Sequence, residues 1–185
     1  VKFISADSPD DVDYASCGIS DAILIDNTGM SSSKEGLEKH LNNKEIKKVL
    51  FTAPVDKELK NIVYGVNHDD IDDKDQIIGA ASCTTNAIVP VLKAIDDEFE
   101  IDNGHVETIH SYTNDQNLID NYHSKSRRGR AAALNMVITE TGAAKAVSQI
   151  LPNLEGKLSA NAIRVPTPNV SLAILSLFLK KSSDQ

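Results

Sequence analysis

Along the first half of the chain, apolar residues fall in short dense runs, each closed by a turn residue. "DAILID" (21–26) is followed by Asn27-Thr28-Gly29, "KKVLFTAP" (47–54) stops at Pro54, and "NIVYGVNH" (61–68) and "DQIIGAASC" (75–83) share the form. Continuous apolar runs bounded by turn signals predict strands buried on both faces, as in a parallel sheet. Between the first two, "SSSKEGLEKHLNN" sets Leu37 and Leu41 four apart behind serines able to cap a helix. Strand, helix, strand at this spacing predicts a parallel α/β sheet up to about residue 82.

From Cys83 the period changes. Ile88, Val91, Leu92, Ile95 and Phe99 share one helical face, and Asn103-Gly104 supplies a stop. Pro90, with no amide donor, is expected to bend this helix or delay its regular part. "HVETIH" (105–110) alternates, setting Val106, Thr108 and His110 on one face of a half-buried strand. The polar stretch from Ser111 to Gly129 is too long for an ordinary connection and reads as functional or partner-bound. "TGAAKAVSQILPNL" reads as a helix through Ala144, Val147, Ile150 and Leu151. "LSANAIRVPTPNVSLAILSLFLK" holds two strands broken by Pro166 and Pro168.

Composition narrows the classes. With 41% hydrophobic and 25% charged residues over 185 positions, the chain can bury a core and is not of the disordered type. No apolar run approaches the roughly 20 residues of a membrane helix, and "VKFISADSPD" has no signal-peptide character. A net charge of −8 disfavours nucleic acid as a partner, with "SKSRRGR" a local exception. The two cysteines, Cys17 and Cys83, are too few for a disulfide framework and lack metal-site spacing. Reduced thiols in a cytoplasmic protein, with no metal, is the expectation.

The chemistry concentrates at "AASCTTNAIVPVLKAI" (80–95). Cys83 stands where a strand turns into a helix, with Thr84 and Thr85 able to cap the same turn. The thiolate is the reactive form, and the free amides and dipole of a helix start favour it. The competing reading is a small residue packed into a tight turn. His110, on the alternating strand, is the candidate base: an imidazole can take a proton and later donate to an oxyanion. A hydrogen-bonded structural histidine is its alternative, and that alternative is preferred for His40, His68, His105 and His123. Thr28-Gly29 and Thr52 end predicted parallel strands, where open α/β sheets bind ligands; ordinary turn chemistry competes there.

"ASCTTNAIVP", "HSYTNDQ", "RRGRAAA", "TGAAKAV" and "LEGKLSANAIRVPTPNVS", preceded by "NTGM", "TAPV" and "YGVNHDD", run in one order through nearly the whole chain. In these motifs the sequence resembles the glyceraldehyde-3-phosphate dehydrogenase family, including the separation of Cys83 and His110. The resemblance implies an α/β fold: a partial doubly wound parallel NAD-binding sheet (1–82), then a partial α+β catalytic domain (83–185) whose sheet is mixed and largely antiparallel. It implies a cytoplasmic homotetramer with NAD as cofactor. The implied reaction oxidises a phosphorylated aldehyde, with inorganic phosphate, through a thioester on Cys83 to an acyl phosphate. A relative acting on erythrose 4-phosphate with water is the enzyme alternative.

By the same resemblance, Thr113, Asp115 and Arg164 map to the site for the substrate's own phosphate, Asp115 orienting Arg164 and reaching a cofactor hydroxyl. Ser82, Thr84, Thr141, Gly142 and Arg128 map to the site of the attacking phosphate. Hydroxyls, a helix-start amide and a guanidinium fork suit an oxyanion. The "SKSRRGR" loop resembles one that packs on a neighbouring subunit beside the cofactor, with Arg127 and Arg130 read as packing or interface residues. Two small departures, Asn27 before Thr-Gly and Ala87 at a position that is often a second cysteine, leave the chemistry intact.

A larger departure is that G-x-G-x-x-G is absent and that the chain stops soon after "SLFLKK". The expectation is an internal portion of a longer protein. Lacking the first strand, the sheet should present an unpaired edge and a bare apolar face. Such a portion alone is expected to be poorly soluble or domain-swapped and not to bind NAD. A catalytically silent paralogue or fragment acting as an assembly module is therefore the third reading. NAD against NADP is left open, because no acidic residue that would read the ribose is identified.

Overall fold

The computed structural model describes residues 2–125 and 127–182. The chain divides into two compact units, Val1–Pro90 and Val91–Gln185.

The first unit contains strand β1 (Ala22–Asp26), helix α1 (Lys34–Leu41), and strands β2 (Ile46–Phe51), β3 (Lys60–Asn61) and β4 (Ile77–Gly79). All pair in parallel, in the order β1-β2-β4-β3. Ser33 starts α1 by accepting from the Gly36 amide at 3.1 Å, a capping bond that satisfies one of the helix's orphan donors. The helix then drops Leu37, wholly buried, onto Ile46, Val49, Phe51, Val55 and Ile77. That apolar contact fixes which face of the sheet α1 covers.

Two strand expectations change. β1 is not buried on both faces: Leu24 turns to the core, while Ile23 and Ile25 are 67% and 63% exposed. β1 lies at the sheet edge, so its alternate residues face water. "NIVYGVNH" contributes only one strand residue, Asn61, at the end of β3. The Asn67 side chain accepts from the Val63 amide at 2.8 Å and donates to the Asn61 carbonyl at 3.0 Å. Those local bonds replace a ladder and curl the segment into turns.

Helix α2 (Cys83–Phe99) spans the boundary of the two units and continues through Pro90. One lost ladder bond is outweighed by the burial of Ile88, Val89 and Leu92. The expected stop at Asn103-Gly104 lies instead inside strand β5 (Ile101–Ser111). Glu100, at φ +55°, makes the reversal, and the Asp96 carboxylate receives the Ile101 amide at 2.7 Å. Gly104 is needed for a close strand approach: a Cβ there would stand 2.7 Å from Leu177 Cδ2 and from the Ser176 carbonyl oxygen.

The second unit continues with β6 (Val137–Thr139), α3 (Ala143–Ile150), β7 (Leu158–Val165) and β8 (Leu172–Leu179). Its sheet runs β6-β7-β5-β8, with β5 and β7 parallel and the other pairs antiparallel. On β5 the alternation holds, with Val106, Thr108 and His110 all buried. Val147 of α3 is fully buried and that helix packs on β7. The opposite sheet face leaves Leu172, Ile174 and Phe178 exposed. The architecture is thus α/β, a parallel sheet in one unit and a mixed one in the other.

Candidate functional site

In the first unit, β4 passes into α2 through Ala81, a buried alanine at φ +56°. A non-glycine residue there is strained, and strained turns of this kind persist where the surroundings hold them. Here the clamps are visible. The Asn86 side chain donates to the carbonyls of Ala80 (2.7 Å) and Ser82 (2.9 Å). The Ser82 hydroxyl accepts from the Thr85 amide at 3.0 Å and lies 2.7 Å from the Thr85 hydroxyl. Ser82, rather than Thr84 or Thr85, is therefore the cap, and Thr85 is its buried buttress. Either hydroxyl of this pair can donate to the other. Cys83, the first helical residue, is exposed, as an attacking thiol requires and a small packing residue does not.

At the carboxyl ends of β1 and β2, Thr52 joins the strands by donating its amide (2.9 Å) and hydroxyl (3.3 Å) to the Asp26 carbonyl. The Asp26 carboxylate receives the Thr28 amide at 2.8 Å and its hydroxyl at 2.7 Å. Burial opposes ionisation of Asp26, but the two bonds from Thr28 and then His40 outweigh it and hold the carboxyl below its ordinary value. Both Thr28 donors are thus committed to Asp26. Gly29 takes φ +68°, and nothing lies within 4 Å of where a Cβ would stand. The turn is thus open on its outer side.

In the second unit the β5–β7 register sets His110 beside Arg164 on the buried face. The His110 Nδ1 lies 2.7 Å from the Ser111 carbonyl oxygen, to which it donates in the tautomer that carries its proton on Nδ1. Arg164 Nη1, 3.1 Å from the same nitrogen, then donates to the Ser111 carbonyl at 3.1 Å and the Thr113 hydroxyl at 3.2 Å. With the proton on Nδ1, Nε2 is the ring's acceptor, the form a general base needs; with Nδ1 bare, that nitrogen accepts from Arg164 instead. Thr113, Arg164 and His110 are thereby gathered into one cluster.

A cleft of about 640 Å³ opens in the same unit, lined among others by Lys125, Arg127, Arg128, Thr139, Thr141 and Gly142. The Arg128 guanidinium is held three ways: Nε on the Thr139 hydroxyl (3.1 Å), Nη1 on Asp115, and Nη2 on the Glu140 carbonyl (3.3 Å). Asp115 also pairs with Lys125 at 3.4 Å. Gly142 precedes the first turn of α3, where the Thr141 hydroxyl accepts from the Ala143 amide at 3.2 Å. Three cations, set against the lining Glu140 and the Asp115 that pairs Lys125 and Arg128, stand here with hydroxyls and a helix start, a mixed lining that can take an oxyanion.

Three residues outside the expected site set join these arrangements. Lys125 and Arg127 line the cleft beside Arg128, and the basic run itself was the available signal. His40, read as structural, contacts Asp26 at 3.3 Å; nothing local links positions 14 apart in a strand and the following helix. His105 fits its structural reading, lying between the Ser159 hydroxyl (2.7 Å) and Asn161. Among the described residues, no group of three or more His, Cys, Asp or Glu could hold a metal, and no helix is long and apolar enough to cross a membrane.

Comparison with known sequences adds an independent line. The profile described as "Glyceraldehyde 3-phosphate dehydrogenase, C-terminal domain" matches residues 82–185. The chain is 61% identical to a glyceraldehyde-3-phosphate dehydrogenase-like protein of Pseudomonas aeruginosa, over 99% of this chain and 40% of that protein. It is 46% identical to glyceraldehyde-3-phosphate dehydrogenase A, chloroplastic, of Zea mays, over 99% of this chain and 45% of the relative. Against the Clostridium pasteurianum glyceraldehyde-3-phosphate dehydrogenase the figures are 42% identity, 98% and 54%. The chain spans about half the length of these curated relatives. The capped cysteine turn, the His110 cluster and the cationic cleft thus lie in a chain that belongs to the glyceraldehyde-3-phosphate dehydrogenase family.

Proposed function

We propose that this chain carries the nucleophile, the base and two anion sites of an NAD-dependent oxidation of glyceraldehyde 3-phosphate, with inorganic phosphate as the acyl acceptor. The Cys83 thiolate attacks the aldehyde carbon to give a thiohemiacetal, and His110 Nε2 removes the hydroxyl proton as hydride leaves the carbon. NAD, when bound, supplies the hydride acceptor. The resulting thioester is attacked by a phosphate oxygen, the C–S bond breaks, and the Cys83 thiolate is released with an acyl phosphate. Thr113 and Arg164 bind the substrate's phosphate. Ser82, Thr84, Arg128, Thr141 and Gly142 bind the attacking one.

Thr28-Gly29 and Thr52 fit a dinucleotide, since they stand at the carboxyl ends of parallel strands beside an open positive-φ turn. By family membership the reading extends to a homotetramer in the cytoplasm.

The observation that supports phosphate over water is the cleft around Arg128, Thr141 and Gly142. A hydrolytic enzyme needs no second oxyanion site. The test is turnover of glyceraldehyde 3-phosphate and erythrose 4-phosphate with and without inorganic phosphate, on the protein as the cell makes it. Phosphate-dependent turnover of glyceraldehyde 3-phosphate is expected; phosphate-independent turnover overturns the reading. An acyl adduct on Cys83, absent in Cys83→Ser, is expected by mass spectrometry.

A further inference from the structure

We propose that His40 is a positioning residue for the nicotinamide dinucleotide, acting through Asp26 on the Thr28-Gly29 turn; the proposal rests on the reading that this turn receives the cofactor. His40 sits in the last turn of α1, and its Nε2 lies 3.3 Å from Asp26 Oδ2. Asp26 Oδ1 takes both donors of Thr28, so the two carboxylate oxygens face opposite duties. From there the chain of bonds continues, because the Thr28 hydroxyl accepts the Met30 amide at 3.2 Å. Gly29 is thus bracketed on both sides by a network that begins at the helix.

The ring's own bonding argues that this contact is why a histidine stands there. Asp26 is ionised and only accepts, so Nε2 must carry a proton. His40 Nδ1 is then buried with no hydrogen-bond partner. Buried polar atoms without partners are costly and call for a reason. An apolar side chain would pack at this position without that cost. The imidazole brings one thing that an apolar residue lacks, the bond to Asp26 Oδ2.

Removing the bond has a defined consequence. With Oδ2 unpaired in a buried setting, a second orientation of the carboxylate becomes competitive, and the Thr28 amide and hydroxyl lose a fixed acceptor. The turn loosens, and the cofactor must then order it on binding, which lowers affinity without touching the reacting groups. His40 contacts no part of the proposed chemistry, so turnover at saturating cofactor should persist.

The experiment compares His40→Leu, which keeps bulk and deletes the donor, with His40→Gln, whose amide nitrogen can stand near the Nε2 position. Both are made in the protein as the cell makes it. Amide hydrogen exchange at Thr28 and Met30, read without cofactor, should quicken at least about tenfold in His40→Leu and return to within about twofold in His40→Gln. The NAD dissociation constant should rise about tenfold in His40→Leu, the scale of one charge-assisted bond, with kcat within about twofold and recovery in His40→Gln. Unchanged exchange at Thr28 in His40→Leu overturns the positioning role whatever the affinity does. Quickened exchange with unchanged NAD affinity overturns the cofactor assignment of the turn instead. Equal losses in the Leu and Gln variants also overturn the proposal, since that is the mark of a packing role.

Discussion

Replacing Ser82 by alanine should weaken the protein more than the loss of a helix cap alone. The cap contributes about 1 kcal/mol, from the 3.0 Å bond to the Thr85 amide. The same hydroxyl is also the partner of the Thr85 hydroxyl at 2.7 Å, and Thr85 is only 1% exposed. Leaving that hydroxyl without a partner adds a further ~1 to 3 kcal/mol. The expected loss for Ser82→Ala is therefore about 2 to 4 kcal/mol. Thr85→Val keeps the cap and leaves no orphan on its own side chain, so it should cost less than about 1 kcal/mol. The double variant should lose little more than the cap, about 1 kcal/mol, and so be more stable than Ser82→Ala alone. Urea unfolding of the three variants completes the cycle, with stability taken from the midpoint at constant slope. If Ser82→Ala and the double variant fall together, the argument from the buried hydroxyl is wrong. The result bears on the proposed chemistry, because this turn holds Cys83 at the start of α2.

Three further outcomes follow from the same structure. Gly104→Ala should destabilise the β5–β8 pair by about 1 to 3 kcal/mol, because the added methyl meets backbone at 2.7 Å; thermal unfolding reads the loss. Asp26 titrates lower when folded than when unfolded, so its stabilisation is whole above about pH 4 and is lost as pH falls through the folded value. Asp26→Asn should flatten the acid limb of a urea-midpoint curve, and parallel curves would speak against this. Arg128→Lys keeps the charge but not the three-way fork onto Asp115, Thr139 and Glu140. The KM for phosphate should rise about tenfold with the rate of acylation unchanged; a fall in the acylation rate with the KM for phosphate unchanged would remove Arg128 from the proposed attacking-phosphate site.

Local signals carried a good part of the fold and marked several residues of the candidate site. The serines before Lys34 start α1 because capping needs only neighbouring atoms. The alternation at 105–110 turned Val106, Thr108 and His110 inward because a strand's side chains change face at every residue. The apolar stripe after Cys83 marked α2, and the ordered motifs marked the family. Wherever the outcome depended on partners distant in the chain, only the tertiary structure decided. Ile23 and Ile25 look like buried strand residues until the strand order puts β1 at an edge. Asn103-Gly104 reads as a helix stop until β8 approaches and requires a residue with no side chain. Arg164 stands beside His110 through sheet register, 54 positions away, and His40 reaches Asp26 only once α1 folds back over β1 and β2. Periodicity and caps are written within a few residues, whereas register, edges and shared protons are settled by which strands meet.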